Sequence, residues 1–477
     1  MNWTAEFEKW LNPKDVKGLT ADSRQVEPGF IFAALKGVVA DGRDFIPSAI
    51  QNGAIAIVGE DLPPFEGARA INVADARLYF AHLAAYLYPN HPATIVAVTG
   101  TNGKSSTVDF LRQIWAHSGI KAASMGTLGA IGPEGAIDLG HTTPDPVAIH
   151  QTLQTLSRQG VTHVAMEASS HGLEQKRMHA VPLTGGAFTN LTQDHLDYHP
   201  TMEDYRAAKL RLINELTPAG ASFVINYDSP EASAFEAAAK SKGLDILGVG
   251  WRGVDLKISE LMPKAVGQSV FLNWRGEDTR VELPLIGEFQ ALNALTAAGL
   301  ALTQGMSFPS VCAAMEHLQP VKGRLEFVGK TNEGAGVFVD YAHTPDGLDV
   351  LLRAARPHTA GKLSVVFGCG GDRDPFKRPK MGEIAIRQAD RVIITDDNPR
   401  SEDPAAIRKS VLDGAIGAQE IGDRADAIAA AIKGLEKGDT LVIAGKGHET
   451  GQIVGDQILP FSDQETAQKE LGMEVPA

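Results

Sequence analysis

The chain has 477 residues, 43% of them hydrophobic and 21% charged, which excludes disordered and fibrous classes and predicts about three domains. A net charge of −14 argues against the broad cationic face that nonspecific nucleic-acid binding needs, and two cysteines are too few for a disulfide framework or a four-thiolate zinc site. The sequence has no export-signal pattern and no run of about eighteen apolar residues, so we expect a cytoplasmic protein that does not bind a membrane. From its charge we expect no nucleic-acid partner.

The first segment, residues 1–89, combines short apolar strands with one helical pattern and ends in a proline-containing linker. We therefore expect a small mixed α/β domain. Within it, Asp22-Ser-Arg24 is a weak signal. A solvated turn, in which the aspartate side chain bonds its own backbone, explains these residues at least as well as a binding role.

The most informative stretch is Thr94–Thr107, where an apolar β-branched run gives way to a glycine loop and then to a helical pattern. Such a loop holds phosphates, because glycines let backbone N–H groups turn inward and the helix N-terminus adds a positive dipole end. Lys104 would reach terminal phosphates and the Ser105 hydroxyl suits Mg²⁺. Val98 stands where the general pattern has a glycine, and Gly100 is the nearer substitute. The stretch predicts a site for a nucleoside triphosphate.

From about residue 90, strands alternate with amphipathic helices, which predicts a parallel sheet covered on both faces. Two strands of this central segment end in polar side chains, at the place where doubly wound sheets bind ligands. Glu167 follows one strand and, with Ser105, would supply oxygen ligands for Mg²⁺. His195 follows the other strand, and Lys209 lies on the next predicted helix. From residue type alone, Lys209 is an exposed helical lysine.

Two polar residues stand out toward the end of the central segment. Asn293 interrupts an apolar helical stripe, so it either bonds backbone groups internally or faces the nucleotide. Arg324 follows Gly323 at a hinge, from which its charge could reach phosphates. Both remain open at this point, since a single polar residue in either context is common.

Residues from about 323 onward repeat the alternation of strand and helix, which predicts a further doubly wound domain. Polar or glycine-containing stretches follow its predicted strands, and strand exits of such a sheet share one edge. We therefore expect one cleft to be lined by Asp340, Arg373, Arg400, Lys446 and Glu449.

Taken together, the motifs resemble the Mur ligase superfamily over nearly the whole chain. The shared motifs are Gly100-Thr-Asn-Gly-Lys-Ser105, Asp194-His195, Tyr205-Arg-Ala-Ala-Lys209, Asn293, Gly323-Arg324 and Asp340-Tyr-Ala-His343. Other stretches resemble the members that add the third peptide residue of the peptidoglycan precursor; they are Asp22-Ser-Arg24, Thr142-Thr143, Glu167-Ala-Ser-Ser-His171, Asp397-Asn-Pro-Arg400 and Gly445-Lys-Gly-His-Glu449.

The resemblance implies an α/β protein of three domains. Residues 1–89 would form a small mixed α/β domain that binds the UDP-sugar, and residues 90–322 a central phosphate-loop ATPase domain with a parallel sheet. Residues 323–477 would form a doubly wound, Rossmann-like domain that binds the amino acid.

The resemblance also implies a role for each site residue. ATP would contact Gly100, Thr101, Asn102, Gly103, Lys104, Ser105, Ser106, Asn293, Arg324 and Asp340. The UDP-sugar would contact Ser23, Val38, Val39, Ala40, Thr142, Thr143, Ser169, Gln175 and Arg177. Diaminopimelate would contact Arg373, Asp397, Asn398, Pro399, Arg400, Gly445 and Glu449. Catalysis would involve Lys104, His195, Lys209 and Arg324, and Mg²⁺ would be held by Ser105, Glu167, His195 and Lys209 as a carbamate.

Three of these implied roles have a chemical reason. Carbon dioxide bound to the neutral amine of Lys209 gives an anionic oxygen ligand, which reverses the assignment as an exposed lysine. The planar guanidinium of Arg400 suits the distal carboxylate of meso-diaminopimelate, which L-lysine lacks, and Glu449 would pair the distal ammonium. Gln290 stands where relatives frequently have asparagine, which leaves its contact open.

The resemblance implies an ATP-dependent amide ligase of peptidoglycan precursor synthesis, acting as a monomer on small molecules only. The D-glutamate γ-carboxylate of UDP-N-acetylmuramoyl-L-alanyl-D-glutamate would form an acyl phosphate with ATP, and the diaminopimelate amine would attack it. The alternatives are an L-lysine-adding member, a folylpolyglutamate synthase and a catalytically silent nucleotide-binding scaffold. Folylpolyglutamate synthase gives no reason for Asp397-Asn-Pro-Arg400, and a silent scaffold gives none for intact Lys104, Glu167, His195 and Lys209.

Overall fold

The computed structural model describes residues 2–37, 40–192 and 198–473. The chain divides into two compact units, one made of Met1–Leu256 with Leu295–Val311 and the other of Lys257–Ala294 with Cys312–Ala477. None of the helices that the structure describes combines the length and apolar character needed to cross a membrane. Val38, Val39 and His195 lie outside the described residues.

The first unit begins with a parallel sheet in the order β1-β2-β3-β4. Its strands are β1 (Gly18–Thr20), β2 (Phe30–Ala34), β3 (Ala56–Gly59) and β4 (Arg69–Asn72), accompanied by helices α1 (Trp3–Glu8), α2 (Ile46–Gln51) and α3 (Ala76–Leu87). Successive side chains of a strand point to opposite faces. Ile31 accordingly joins a core with Phe7 and Phe80, whereas Phe32 joins a separate core with Ile57. Both faces of the small sheet are therefore covered.

A larger sheet follows in the same unit, in the order β12-β11-β10-β5-β9-β6-β7-β8. Its strands are β5 (Thr94–Thr99), β6 (Ala122–Gly126), β7 (Gly129–Gly132), β8 (Gly135–Ile137), β9 (His163–Glu167), β10 (Gly185–Phe188), β11 (Ser222–Asn226) and β12 (Asp245–Gly250). Pairing is parallel from β12 to β6 and antiparallel from β6 to β8. Ile95 to Val98 are completely buried, as expected for a strand covered on both faces.

The strand order places three strand exits next to one another. The chain runs from β5 through α4 to β6, and β9 later inserts between those two strands, while β10 pairs with the other side of β5. Val98 of β5 lies opposite Glu167 of β9, and Thr99 lies opposite Phe188 of β10. The helices of this region are α4 (Lys104–His117), α5 (Pro146–Arg158), α6 (Ser170–Glu174), α7 (Met202–Arg211) and α8 (Ala232–Lys242).

The second unit contains a mostly parallel sheet and, before it along the chain, an antiparallel pair of strands. Next along the chain are strands β13 (Leu256–Pro263), β14 (Gln268–Trp274) and β15 (Glu277–Leu283), of which the last two form this pair, followed by helices α9 (Glu288–Thr303) and α10 (Phe308–Met315). Residues Leu295–Val311, which include the end of α9 and the start of α10, belong to the first unit. The parallel sheet has the order β16-β17-β21-β18-β19-β20, and only its β16 edge pairs antiparallel among the described strands. The crossover order is that of a doubly wound sheet.

The remaining elements belong to this sheet or pack beside it. The strands are β16 (Glu326–Lys330), β17 (Gly336–Asp340), β18 (Leu363–Phe367), β19 (Arg391–Ile394), β20 (Gln419–Glu420), β21 (Thr440–Ala444) and the hairpin β22 (Gly451–Val454) and β23 (Gln457–Pro460). The helices are α11 (Pro345–Ala355), α12 (Lys377–Gln388), α13 (Pro404–Leu412), α14 (Arg424–Lys433) and α15 (Asp463–Glu470). The predicted α/β class with parallel sheets is confirmed.

Candidate active site

The phosphate loop, residues 100–103, connects strand β5 to helix α4. Gly100 has φ +151°, and a Cβ there would come within 1.9 Å of Thr189 Oγ1, so the position admits no side chain. Gly103 has φ +85° and caps the N-terminus of α4, a left-handed conformation that glycine adopts at little cost. Gly100 is therefore required by lack of space and Gly103 by its backbone conformation. Val98 is an ordinary buried strand residue.

Lys104 is the first residue of α4, and its side chain folds back over the loop. Its Nζ donates hydrogen bonds to the carbonyl oxygens of Gly100 at 3.0 Å and Thr101 at 2.8 Å. The positive end of the α4 dipole lies at the same place. An ammonium group and a helix N-terminus that meet on a glycine loop form a site with affinity for anions.

A segment that the sequence analysis did not assign to the site, Thr189–Thr192, tethers the loop. Asn190 O accepts from Thr101 N at 2.8 Å, and Asn190 Oδ1 accepts from Asn102 N at 3.0 Å. Thr189 Oγ1 donates to Asn102 O at 2.7 Å. The segment follows β10, which neighbours β5. Because the sequence does not show which strands are neighbours, it could not show that this segment contacts the loop. These bonds leave the loop little freedom to change shape.

Lys209 lies on α7 and is buried against the phosphate loop. Only 1% of its surface is exposed, and its Nζ donates to Gly100 O at 2.6 Å. The same Nζ lies 4.5 Å from the ring centroid of Tyr205, whose hydroxyl donates to Thr101 Oγ1 at 3.2 Å. The assignment as an exposed helical lysine, made from residue type alone, was therefore wrong. Tertiary packing brings α7 onto the loop.

Glu167 ends strand β9 directly beside β5, and 2% of its surface is exposed. Its Oε1 accepts from Thr127 N at 2.8 Å, and its Oε2 lies 3.4 Å from Thr127 Oγ1. That hydroxyl shares a 3.0 Å hydrogen bond with Thr142 Oγ1. The carboxylate is thus held in one orientation by a backbone amide and a pair of hydroxyls.

The Glu167 carboxylate and the Ser105 hydroxyl fit Mg²⁺ in kind. Magnesium prefers oxygen ligands and usually keeps waters and phosphate oxygens, with one or two carboxylates from the protein. Glu167 and the Ser105 hydroxyl are such donors. Within the described ranges no group of three histidine, cysteine, aspartate or glutamate side chains could hold a metal by itself. The residues therefore suit a Mg²⁺ that binds together with phosphates.

A connected polar cluster lies next to Glu167. Thr143 Oγ1 donates to Glu167 O at 3.0 Å and accepts from Ser169 N at 3.1 Å. Arg177 Nη1 donates to Thr143 O at 2.6 Å, and its Nη2 donates to Gln175 Oε1 at 2.8 Å. Burial lowers the pKa of Arg177. With Thr142, which bonds Thr127, the structure thus brings together this whole subset of predicted residues.

The other residues predicted to contact the UDP-sugar lie in the small sheet region. Ser23 is buried, and its carbonyl accepts from Asn52 Nδ2 at 3.0 Å. Ala40 is exposed and its carbonyl accepts from Gly37 N at 2.9 Å. Asp22 accepts from Arg24 N at 3.0 Å, which is the self-bonded turn considered above. Val38 and Val39 fall outside the described residues.

In the second unit, Asp340 is buried at the end of a strand, and the partly buried Arg324 acts on its charge. Asp340 ends strand β17, and its carboxylate accepts from Leu325 N at 2.6 Å and Ala342 N at 2.7 Å. Burial raises the pKa of Asp340, against the opposing effect of Arg324 and these two backbone hydrogen bonds. The Arg324 guanidinium lies 4.7 Å from the ring centroid of Tyr341. The hinge segment is therefore bonded to the exit of β17.

Gln290 links Asn293 to this hinge. Asn293 Nδ2 donates to Gln290 Oε1 at 3.1 Å, and Gln290 Nε2 donates to Arg324 O at 2.9 Å. The departure from the common asparagine at this position thus has a structural role. Through Gln290, two residues predicted to contact the nucleotide, Asn293 and Arg324, belong to one hydrogen-bonded chain. No sequence pattern indicated this connection, since the arginine follows the glutamine by 34 positions.

The exits of β18, β19 and β21 meet at one edge of the sheet. Arg400 Nη1 donates to Gly371 O at 2.8 Å. Asn398 Nδ2 donates to Glu449 Oε2 at 3.0 Å, and Lys446 Nζ donates to Asn398 Oδ1 at 2.9 Å. The residues after β19 and those after β21 are thereby bonded together. We call this edge the strand-exit cleft, defined by residues 396–400 and 445–449.

Other predicted residues line the same edge. Gly445 N donates to Asp340 O at 3.1 Å, so Asp340 adjoins the cleft. Gly445 has φ +118°, and a Cβ there would come within 2.6 Å of Asp397 Oδ2. Pro399 is buried, and Arg373 is exposed in the loop after β18. Asn398 Oδ1 also accepts from Ile453 N at 3.0 Å, so its oxygen holds neighbouring chain segments together.

Comparison with known proteins decides the family. The model called "Mur ligase family, catalytic domain" matches residues 15–88, "Mur ligase middle domain" matches 98–301, and "Mur ligase, glutamate ligase domain" matches 323–447. A relative from Bradyrhizobium diazoefficiens is 51% identical and covers 99% of this chain and 98% of its own. The chain belongs to the Mur ligase family. The resemblance inferred from the motifs is confirmed.

Relatives of this Mur ligase share one name. The Bradyrhizobium protein and one from Rhizobium meliloti, which is 50% identical over 96% of this chain and 94% of its own, are both called UDP-N-acetylmuramoyl-L-alanyl-D-glutamate–2,6-diaminopimelate ligase. A solved structure of that name has a TM-score of 0.73 and 33% identity, covering 96% of this chain and 95% of its own.

More distant structures share the fold. A MurF ligase from Thermotoga maritima, solved in complex with ADP, is 18% identical with a TM-score of 0.65 and covers 97% of this chain and 99% of its own. In the present chain, the phosphate loop falls in the region of the middle-domain model, and most of the strand-exit cleft falls in that of the glutamate ligase model. The three-domain Mur ligase fold therefore applies to this chain.

Proposed function

We propose that this Mur ligase is an ATP-dependent amide ligase of peptidoglycan precursor synthesis. It joins meso-2,6-diaminopimelate to the D-glutamate γ-carboxylate of UDP-N-acetylmuramoyl-L-alanyl-D-glutamate. The observation that carries this proposal is the 51% identity, over 99% of the chain, to a ligase named for that reaction. We assign residues 1–89 to the UDP-sugar, 90–322 to ATP and 323–477 to the amino acid.

For ATP, we propose that backbone N–H groups from Gly100 to Ser106 hold the phosphates. Lys104 then exchanges its two carbonyl partners for phosphate oxygens, which bind an ammonium more strongly because they are charged. The tether of the loop to Asn190 supports this role, since a loop held in shape does not have to be ordered when the nucleotide binds. Asn293, Arg324 and Asp340 are proposed as further nucleotide contacts.

We propose that Mg²⁺ is held by Ser105, Glu167, His195 and the carbamate of Lys209. When bound, Mg²⁺ supplies positive charge that offsets the repulsion between phosphate and carboxylate. The burial of Lys209 against the loop supports a role for this lysine in the site rather than on the surface. As a carbamate, it would contribute oxygen donors in place of an ammonium.

For the UDP-sugar, we propose contacts with the small sheet region and with the cluster beside Glu167. Ser23 and Val38, Val39 and Ala40 would contact the UDP end. The sugar-peptide end would be held by Thr142, Thr143, Ser169, Gln175 and Arg177. The hydrogen bonds that join this last group support a single subsite, and the Arg177 guanidinium offers it a positive charge for a substrate carboxylate.

The chain's residues would then support two displacements. The D-glutamate γ-carboxylate oxygen attacks the γ-phosphorus of ATP, and the bond to the β-phosphate oxygen breaks to release ADP. The diaminopimelate amine attacks the acyl carbon of the acyl phosphate, the C–O bond breaks to release phosphate, and the amine loses a proton. Lys104 offsets the charge that builds up on the phosphates, and Arg324 is proposed to couple nucleotide binding to closure around the acyl phosphate.

We propose that Arg400 and Glu449 determine the specificity for the amino acid. Arg400 offers a planar, charged donor group to the distal carboxylate, and Glu449 offers a carboxylate to the distal ammonium. Both contact Asn398, which supports their acting in one pocket. Arg373, Asp397, Asn398, Pro399 and Gly445 are proposed to complete it. L-lysine has no distal carboxylate, so it would leave Arg400 without a partner.

The test is ADP release by purified protein with ATP, Mg²⁺ and the UDP-sugar dipeptide, comparing meso-diaminopimelate with L-lysine. We expect ADP and the tripeptide product with diaminopimelate only. Turnover with L-lysine alone would support the lysine-adding alternative, and turnover only with a folate and glutamate would support a folylpolyglutamate synthase. If the folded protein ligated nothing in any of these mixtures, the result would support the catalytically silent scaffold. Lys104→Met, with its fold checked by melting temperature, is the inactive control.

A further inference from the structure

A fully buried ion pair lies next to the strand-exit cleft. Arg424 begins helix α14 and Asp463 begins helix α15, and both side chains are 0% exposed. Arg424 Nε donates to Asp463 Oδ1 at 2.7 Å, and its Nη2 donates to Asp463 Oδ2 at 2.8 Å. Two parallel bonds of this kind fix the guanidinium plane relative to the carboxylate.

The remaining donors of Arg424 reach the two halves of the cleft. Nη2 also donates to Ala444 O at 3.0 Å, and Nη1 donates to Asp396 O at 3.3 Å. Ala444 immediately precedes Gly445, and Asp396 immediately precedes Asp397. One rigid group therefore bonds the last carbonyl of β21 and a carbonyl just past the end of β19, from which both halves of the cleft begin.

The charge of this group is retained despite its burial. Burial is the largest influence and acts to lower the pKa of Arg424, but the attraction and hydrogen bonds of Asp463 together with the charges of Asp397 and Glu449 outweigh it, so the pKa is raised. A buried ion pair adds little stability by itself, because desolvation offsets the attraction and apolar residues often replace such pairs without loss. Its geometry, rather than its energy, is what an apolar pair could not reproduce.

We propose that Arg424 is a positioning residue for the strand-exit cleft. Anchored by Asp463, it holds residues 396–400 and 445–449 at the spacing at which Arg400 and Glu449 take opposite ends of the incoming diamino acid. The identity of that amino acid rests on the proposed function, whereas the spacing of the two halves does not. Neither Arg424 nor Asp463 contacts the amino acid in this proposal.

The kinetic test compares Arg424→Lys, which keeps the charge but loses the planar fork, with the double variant Arg424→Met/Asp463→Leu, which leaves no unpaired buried charge. We expect both to raise the KM for diaminopimelate on the order of 10-fold or more, since displacement of a binding group by about 1 Å has effects of this size or larger. The KM for ATP should stay within about twofold. Arg356→Met, which breaks the exposed pair with Asp390 in the same unit, is the control and should change neither constant.

A second readout does not depend on activity. In Arg424→Lys we expect amide hydrogen exchange to quicken at Arg400, Gly445 and Glu449, while the strands of the sheet keep their protection. Unchanged exchange in the cleft, or equal rises in both KM values, would overturn the proposal. If wild-type protein used L-lysine or ligated nothing, the proposed function would fail, and the exchange experiment would still decide the role of Arg424.

Discussion

Arg400 combines a proposed binding role with a strained backbone, so its substitution should separate function from stability. Its φ is +52°, in the left-handed region that costs a residue with a Cβ about 1 kcal/mol or more. The conformation is held from both sides, because Arg400 N donates to Ile453 O at 3.0 Å and Gly455 N donates to Arg400 O at 2.8 Å. Strain of this kind is common at binding sites.

Arg400→Ala and Arg400→Gly both remove the guanidinium and its hydrogen bond to Gly371 O. The loss of these contacts cancels when the two variants are compared. Glycine adopts the left-handed conformation freely, so the glycine variant should have the larger free energy of unfolding, by about 1 kcal/mol. Both variants should raise the KM for diaminopimelate by about 10- to 150-fold, the equivalent of about 1.5–3 kcal/mol for charge-assisted hydrogen bonds. The KM for ATP should not change.

The assays are urea unfolding and steady-state ADP release on both variants. The matched control is Arg408, which lies inside helix α13, where glycine is less stable than alanine by about 1 kcal/mol. The order of stability should therefore reverse between the two positions. An alanine variant at 400 as stable as the glycine variant would refute the strain, and equal rises in both KM values would refute the pocket role.

Three further predictions concern other parts of the molecule. Lys209→Ala should lose most activity and regain some when a short carboxylate such as acetate is added, as measured by ADP release; absence of rescue would count against the carbamate. Gly100→Ala should destabilise the protein by about 1–3 kcal/mol and abolish ATP use, because its Cβ would lie 1.9 Å from Thr189 Oγ1, and adding Thr189→Ala should restore part of the stability. A double variant no better than Gly100→Ala would show that this contact is not the cause. His358 should contribute to the pH dependence of unfolding: burial lowers its pKa below 6.5, and its Nε2 accepts from Gly287 N, so a proton there removes the acceptor. Its stabilisation is present above about pH 6.5 and is lost as the pH falls through the lowered pKa, so wild type should lose stability relative to His358→Gln between about pH 7.5 and 5.5. A difference that does not change with pH would contradict this.

Local patterns explain why much of the architecture could be predicted. The phosphate loop needs a strand end, two glycines and a helix start within a few residues, and all of these are readable in Thr94–Thr107. The α/β class follows from alternation of apolar strands and amphipathic helices, which reflects burial on both faces of a parallel sheet. The ends of the strands could be located because each apolar strand stops at a polar or glycine-containing stretch. In a doubly wound sheet these strand ends lie at one edge, so the fold class predicts that they are close together.

The partners of individual side chains could not be predicted in this way. The lysine at 209 was assigned to the surface from its residue type, yet it bonds Gly100, which lies 109 residues earlier. Its helix reaches the loop only because β10 pairs beside β5. The tether from Asn190 depends on the same pairing. Neither contact leaves a local pattern, since the residues involved are ordinary for their helix or loop.

The sequence by itself determined which segments become strands, helices and a phosphate loop, because these depend on periodicity and on residues that are close along the chain. Only the tertiary structure decided which strand exits touch, since that depends on the order of strands in each sheet. The connection of Arg424 to both halves of the cleft is the clearest case. Its guanidinium bonds one carbonyl 28 residues before it and another 20 residues after it, and an aspartate 39 residues away fixes the orientation of that guanidinium.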